Sequence, residues 1–473
     1  MRLGCWQLYL HVLAIVTITM AALEAPLEKT SSILVIGAGT WGTSIAYRLV
    51  KRGYTNIKVL DSNTFPSSIS AGNDHNKILE EPISPPAADQ NDLDYAWNTI
   101  ETLSSEVWRN DPVYAPRYHP TGFIYAAVSD EAWSKVKAAA EARPDVYSLL
   151  EGADAFRQTM PKGVLTGDLT GWRGFIRREG AGWVEARDIM LDVHAEATKD
   201  GAATFVCDPQ AGRVAELLYE NDEVVGAKTA DGATHRADFT ILAAGAGAST
   251  LIDFEKQLRP TAWTLAHVPL TAAEAPTYAE LPVLFAVDQG FFLSPPKSAI
   301  AAGEPELKIC DEHPGYIHLV EDEKKKNEKQ PVPIQRDAIP RNSATNMQKL
   351  LQATVPQLAD RPLLRPRLCW DADTPDRLFL IARHPGNSSA PSRLLVAAGG
   401  SGNGFMNAPA VGILVADLLE DQLEERMAKS LRWRPETAVN RDWFDTQGRF
   451  GGTGKVVDLS EIPDDDWAKG PIR

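Results

Sequence analysis

Ile33-Leu34-Val35-Ile36-Gly37-Ala38-Gly39-Thr40-Trp41-Gly42 decides how this chain is built. The run from Ser32 to Gly37 suits a buried strand, Thr40 to Arg52 has helical spacing, and Ile57 to Leu60 is a second strand closed by Asp61. Strand, helix and strand within about 30 residues make a βαβ unit, so the surrounding domain is α/β with a parallel sheet. Gly37, Gly39 and Gly42 stand as GxGxxG at the strand-to-helix turn. The first permits the tight turn, the second lets backbone approach a pyrophosphate, and the third lets helix and strand pack closely. Free N–H groups at the helix start, around Thr40 and Trp41, favour an anion there. Asp61 is placed to accept a hydrogen bond from a ribose hydroxyl. The unit reads as a dinucleotide site; its bland alternative is a packing turn without a ligand.

FAD and NAD(P) are not separated by this unit alone. Working outward, Thr240 to Gly247 is a buried strand ending in small residues, where a cofactor can lie against the backbone near Gly245. Gly399-Gly400-Ser401-Gly402-Asn403-Gly404 precedes an apolar-periodic helix from Phe405 to Leu419, giving a second helix start able to face a polar atom. A flavin fits this pair of features better than a nicotinamide, which needs neither. Between them, helical patterns run near Asp94–Arg109 and Glu131–Arg143. Residues 203 to 243 alternate, with turn signals at Asn221-Asp222 and Asp231-Gly232 that imply hairpins leading into a strand over Phe239–Ala243.

The chain has 473 residues with 44% hydrophobic and 23% charged, an ordinary globular balance that suggests two or three domains. Its net charge of −15 repels phosphate backbones, so nucleic acid is not expected as a partner. The basic run Lys324-Lys325-Lys326 is flanked by acids and reads as a solvated loop. Cysteines at 5, 207, 310 and 369 form no CxxC pair, so neither a disulfide framework nor a metal site is expected. Residues 1–25 carry Arg2, an apolar run from Cys5 to Leu23 and a small-residue cleavage zone, the pattern of a secretory signal peptide. The competing reading is an N-terminal membrane anchor, because about 19 apolar residues nearly span a bilayer. On the first reading, the sequon Asn387-Ser388-Ser389 meets the glycosylation machinery.

Longer motifs carry a resemblance. Ser70-Ala71-Gly72-Asn73-Asp74-His75-Asn76-Lys77-Ile78, Ala181-Gly182-Trp183 and Gln257 to Trp263 are three of them. Glu306 to Tyr316, Cys369-Trp370-Asp371-Ala372-Asp373-Thr374-Pro375 and Arg449-Phe450-Gly451-Gly452 complete the set. Over roughly residues 31 to 460 the chain resembles the fructosyl amino acid oxidases (amadoriases) of the monomeric sarcosine oxidase group of flavoproteins. The resemblance implies a Rossmann-type FAD domain from 31–80, 181–250 and 361–425. It interleaves with a substrate domain from 81–180 and 251–360, on a mainly antiparallel sheet as in D-amino acid oxidase, and 426–473 closes the active site. A monomer and a small amine substrate with O2 as acceptor are implied as well.

The matched residues carry implied roles. Cys369 matches the position joined to flavin by an 8α-S-cysteinyl bond; its bland reading is a buried structural cysteine. Lys308 matches the lysine that assists reaction with oxygen, where an ammonium stabilises the anion formed by the first electron. Ser70, Asn76, Lys77 and Val214 join the cofactor contacts, with Gly402, Gly404, Phe405 and Met406 on the second glycine-rich turn. His313 and Pro314 shape a turn. Glu312 matches an acid touching the substrate, and Arg449 an arginine beside it that suits a carboxylate.

Two departures concern the substrate. The family's Gly-His-Gly-Phe-Lys-Phe reads Gly402-Asn403-Gly404-Phe405-Met406-Asn407 here, so a lysine that helps bind a carboxylate is replaced by Met406. Phe291-Phe292-Leu293-Ser294-Pro295 lacks the acid expected after the Phe pair, and Asn407 and Ser294 are expected to reshape the pocket. The leading expectation is an FAD-dependent oxidase of fructosyl amino acids or related secondary amines that yields an imine and hydrogen peroxide. An oxidase of an N-methyl or cyclic amine is the first alternative. A flavin-binding protein without turnover is the second.

Overall fold

The computed structural model describes residues 27–322, 328–386 and 392–473. The expected leader, the Lys324-Lys325-Lys326 run and the sequon at Asn387 lie outside the described residues. Within them, no helix is long and apolar enough to cross a membrane.

One sheet has six strands in the order Leu380–Arg383, Leu394–Ala398, Phe239–Leu242, Ile33–Ile36, Ile57–Asp61 and Ala203–Cys207. All neighbours pair in parallel except Leu380–Arg383, which is antiparallel. The central strand Ile33–Ile36 is buried along its whole length, as an apolar run covered on both faces must be. Thr40–Lys51 packs on one face against Ala408–Leu419, close enough for the Ser44 hydroxyl to donate to the Ala408 carbonyl at 2.7 Å. Val214–Glu220, Glu223–Thr229 and Thr234–Arg236 form a separate antiparallel meander. Asn221 and Asp222, both at positive φ, make its first turn, the conformation that Asn and Asp tolerate. Residues 203–207, expected to belong to these hairpins, instead extend the parallel sheet beside Ile57–Asp61. Their alternation is that of an edge strand with one covered face. The helix expected from Phe405 begins at Ala408, with Pro409 in its first turn, where a missing N–H costs nothing.

The second sheet has nine strands and is mainly antiparallel. Its order runs Leu364–Asp373, Arg259–Pro269, Glu306–Ile317, Gly290–Leu293, Val283–Ala286, Phe123–Ala127, Arg173–Arg177 and Ser148–Leu150, with Val457–Asp458 beside Glu306–Ile317. Segment 361–425 therefore feeds both sheets: its first strand lies at the edge of this one, and Leu380–Arg383 and Leu394–Ala398 lie in the other. The expected architecture, a Rossmann-type domain with a mainly antiparallel partner sheet, is the observed one.

Candidate active site

The parallel strands point their C-terminal ends at the second sheet, and between them lies a cavity of about 780 Å³. That size suits a bound small molecule with room for a second. At one end it is lined by Ile36, Gly37, Gly39, Thr40, Trp41 and Asp61, the crevice in which an α/β sheet holds ligands. Gly37 has φ +106°, and a Cβ there would lie 2.6 Å from the Ala243 carbonyl oxygen. At Gly42 a Cβ would fall on the Gly37 carbonyl, so Gly42 packs helix against strand and does not line the cavity. The Asp61 carboxylate accepts from the Ala38 N–H at 2.8 Å and the Asn63 N–H at 2.9 Å. It therefore fixes the glycine-rich turn as well as facing the cavity. Burial pushes its carboxyl above the ordinary value, against those two N–H groups. Trp41 Nε1 donates to the Gly404 carbonyl at 2.7 Å and ties this turn to the second glycine-rich turn. Ser70, Val214, Gly245, Gly402, Gly404, Phe405 and Met406 line the same space.

At the other end stand Lys77, Lys308, Glu312, Cys369 and Arg449. Lys308 is 2% exposed; its Nζ donates to Asp74 Oδ2 at 2.5 Å and to the Asn76 carbonyl at 3.0 Å. Lys77 Nζ reaches the same Asp74 oxygen at 2.8 Å and Cys369 Sγ at 3.6 Å. One buried carboxylate thus serves two ammonium groups. Burial alone would raise the Asp74 carboxyl, but Lys308 and Lys77 hold it well below the usual carboxylate range. Burial likewise opposes the Lys77 charge, and Asp74 outweighs it, so that ammonium is held above its ordinary value. Cys310 also lines the cavity, but burial pushes its thiol up to about 12, and burial does the same to Cys207. Among the described cysteines, only Cys369 has an ammonium hydrogen-bonded to its sulfur.

Asn76 and Ser294 stand apart from the expected contacts. Asn76 is fully buried off the cavity, its Nδ2 donating to the Ser294 carbonyl at 2.5 Å, so it braces Lys308 instead of facing a ligand. Ser294 accepts from the Leu281 N–H at 2.9 Å, and Asn407 donates to the Asn403 carbonyl at 3.3 Å. Neither lines the cavity, so these two positions do not reshape it by contact. His313 Nδ1 accepts from the Gly315 N–H at 3.0 Å, which closes the turn it was expected to shape.

Glu312 is buried among Arg449, Asp311 and Arg377, and burial holds its carboxyl well above the ordinary value. Arg449 does not ion-pair with Glu312. It holds Asp373 Oδ1 at 2.5 Å and Asp371 Oδ2 at 3.3 Å, over the Trp263 ring at 4.3 Å. Asp74, Asp371, Asp373 and Arg377 went unassigned from sequence, although the first three sit inside motifs that carried the resemblance. Among the described residues, His75, His267 and Glu306 bring one possible metal-ligating atom each within 4.8 Å of the others. None of them lines the cavity, and Glu306 is in contact with the Arg365 guanidinium.

Residues 32–418 match the family described as FAD dependent oxidoreductase. Amadoriase I of Aspergillus fumigatus, a fructosyl amine:oxygen oxidoreductase, is 44% identical and superposes with a TM-score of 0.87. The match covers 95% of this chain and 100% of that one. The fructosamine oxidase amadoriase II of the same organism is 40% identical with a TM-score of 0.84, over 94% of this chain and 99% of that one. L-saccharopine oxidase of Schizosaccharomyces pombe is 27% identical over 425 residues, 86% of this chain and 93% of its own.

Proposed function

Because the chain belongs to the FAD dependent oxidoreductase family, among the amadoriases, we propose that it oxidises the CH–NH group of a fructosyl amino acid or related N-substituted amino acid. The observation that carries this reading is the continuous cavity, which joins a GxGxxG turn to a buried cluster of lysine, thiol, carboxyl and guanidinium. FAD suits its lining: Gly39 leaves the backbone bare, Asp61 faces a ribose position, and Cys369 waits at the far end. When bound, the flavin accepts a hydride from the carbon beside nitrogen and passes electrons to O2, leaving an imine and hydrogen peroxide. Gly39 and the start of Thr40–Lys51 offer N–H groups to the pyrophosphate, while the Gly37 N–H is held by the Leu60 carbonyl at 2.8 Å. Lys308 supplies a fixed positive charge where oxygen is reduced. Glu312, buried on the cavity wall, is suited to a sugar hydroxyl or the amine. Phe285, Phe291 and Trp263 give apolar walls that keep water from the reacting carbon.

The test is anaerobic reduction of the flavin and aerobic peroxide release with fructosyl-valine, fructosyl-lysine, sarcosine, pipecolate and N-methyl aromatic amino acids. Bleaching by at least one of these is expected. A flavin that none of them reduces would leave a binding protein without turnover.

We infer a covalent flavin from the pairing of Cys369 with Lys77. The Lys77 ammonium donates to Cys369 Sγ at 3.6 Å and holds that sulfur at the cavity wall, where the nucleophile of such a link is needed. Denatured protein is expected to stay yellow, with the flavin mass on the Cys369 peptide, whereas Cys369→Ala releases its flavin to acid and turns over more slowly. Quantitative release from the native chain would remove the link. Export of the chain is inferred from Arg2 and the apolar run Cys5–Leu23 alone.

Met406 favours a second reading of specificity. It lines the cavity with no charge to offer, while its own carbonyl accepts from Trp108 Nε1 at 2.7 Å. Met406→Lys is expected to tighten fructosyl amino acids by up to about 100-fold, in apparent affinity more than in turnover, because a carboxylate contact persists from ground to transition state. Efficient fructosyl-valine oxidation by the native chain, with no gain from the lysine, would make the departure neutral. Poor oxidation of every fructosyl amino acid beside fast N-methyl or cyclic amines would place the substrate in that other class.

A further inference from the structure

Two guanidinium groups, Arg377 and Arg449, reach the amine end of the cavity, and their surroundings differ. Arg449 is 10% exposed and already shared between Asp373 and Asp371. Asp373 is itself anchored by Arg259 Nη2 at 3.1 Å and the Thr261 hydroxyl at 2.7 Å. Arg449 therefore belongs to a closed network of buried charge, and a third carboxylate would have to compete with two that never leave. The lysines are committed too, since both Lys77 and Lys308 hold Asp74.

Arg377 is not committed. Its one hydrogen bond runs from Nη2 to the Ser401 carbonyl at 3.2 Å, and its Nε is buried without a partner. No carboxylate oxygen among the described residues lies within 4.0 Å of it. The adjacent Asp376 is taken by Arg434 in a bidentate pair, 2.8 Å at each bond. That pair also fixes the turn from which Arg377 projects, where Arg377 stands at φ +63°. Its other charged neighbours are Glu312, Asp371, Asp373 and Arg449. Glu312 lies beyond ion-pair distance and the two aspartates face Arg449, so this fork has spare donors at the cavity wall. A half-buried cation in that state gains most from a planar anion.

We propose that Arg377, and not Arg449, receives the carboxylate of the substrate's amino acid half. The assignment rests on the reading of the chain as an amine oxidase. It also accounts for a pocket that dispenses with a lysine at Met406, because a guanidinium on the neighbouring turn supplies the charge.

The test compares acids with their amides in the native holoenzyme, Arg377→Met and Arg377→Lys. Fructosyl-glycine is set against fructosyl-glycinamide, and sarcosine against sarcosinamide, with apparent affinity read from anaerobic flavin reduction. The native chain is expected to prefer the acids. Arg377→Met is expected to lose about 10–100-fold in affinity for the acids, with the amides and the limiting rate little changed, and Arg377→Lys to recover part of it. Equal losses for acid and amide, or no loss, would overturn the assignment. Should no amine bleach the flavin, the oxidase reading fails by itself. N-acetylglycine against N-acetylglycinamide, titrated by flavin absorbance in the same three proteins, then decides: an acid-selective loss in Arg377→Met upholds the assignment, and its absence overturns it.

Discussion

Lys308→Met is expected to slow reoxidation of the reduced protein by oxygen about 100- to 1000-fold, a loss typical of removing one preorganised charge from a dry site. Reduction by amine is expected to suffer far less. The asymmetry follows from where charge appears: the first electron to O2 creates an anion, while the amine half-reaction creates none beside this residue. Lys308 is suited to the task because nothing about it has to move. Its Nζ is pinned between Asp74 and the Asn76 carbonyl, 2.5 and 3.0 Å away, on the long strand Glu306–Ile317. Methionine keeps the volume and removes the charge, so packing is disturbed little. Stopped-flow traces of the two half-reactions decide it. Equal losses in both would make Lys308 a general support of the site.

The first glycine-rich turn was legible from its own residues because its geometry is local: strand, turn, helix and acid all lie within 33–61 and answer to short-range rules. The antiparallel sheet was legible only through the resemblance, since its neighbours, such as Trp263 and Cys369, are brought together from distant parts of the chain. The same limit hid Arg377. Nothing in Pro375-Asp376-Arg377 says that Asp376 will be claimed by Arg434, 58 positions away, leaving the arginine beside it without an anion. Arg449 shows the converse. Its motif placed it near Glu312, but its charge is spent on Asp371 and Asp373, which alternate along Leu364–Asp373 toward the same face. Residues 203–207 failed on a finer point, because an edge strand with one covered face alternates just as a hairpin does.

Asp74→Leu is expected to destabilise the folded protein by about 3–5 kcal/mol, the usual cost of stripping one member from a buried ion cluster. Asp74 is 4% exposed and holds two ammonium groups, so its loss leaves Lys77 and Lys308 facing each other with no anion between them. Asp74→Asn keeps the shape and is expected to fall between native and Leu. A second replacement, Lys77→Met in the Asp74→Asn background, is expected to return part of the stability by removing one stranded charge, a coupling that independent sites do not show. The pH dependence carries the same sign. The folded carboxyl is held well below its ordinary value of 3.8 by Lys308 and Lys77, against burial, so its stabilisation is fully present above the unfolded value. It is lost as pH falls through the folded one. The stability gap between native and Asp74→Asn should therefore be widest near neutrality and narrow in acid below about pH 4. Chemical unfolding of the two holoproteins across that range measures the gap directly. A gap that stays constant with pH, or no gap at all, would mean that Asp74 is not the anion on which the two lysines depend.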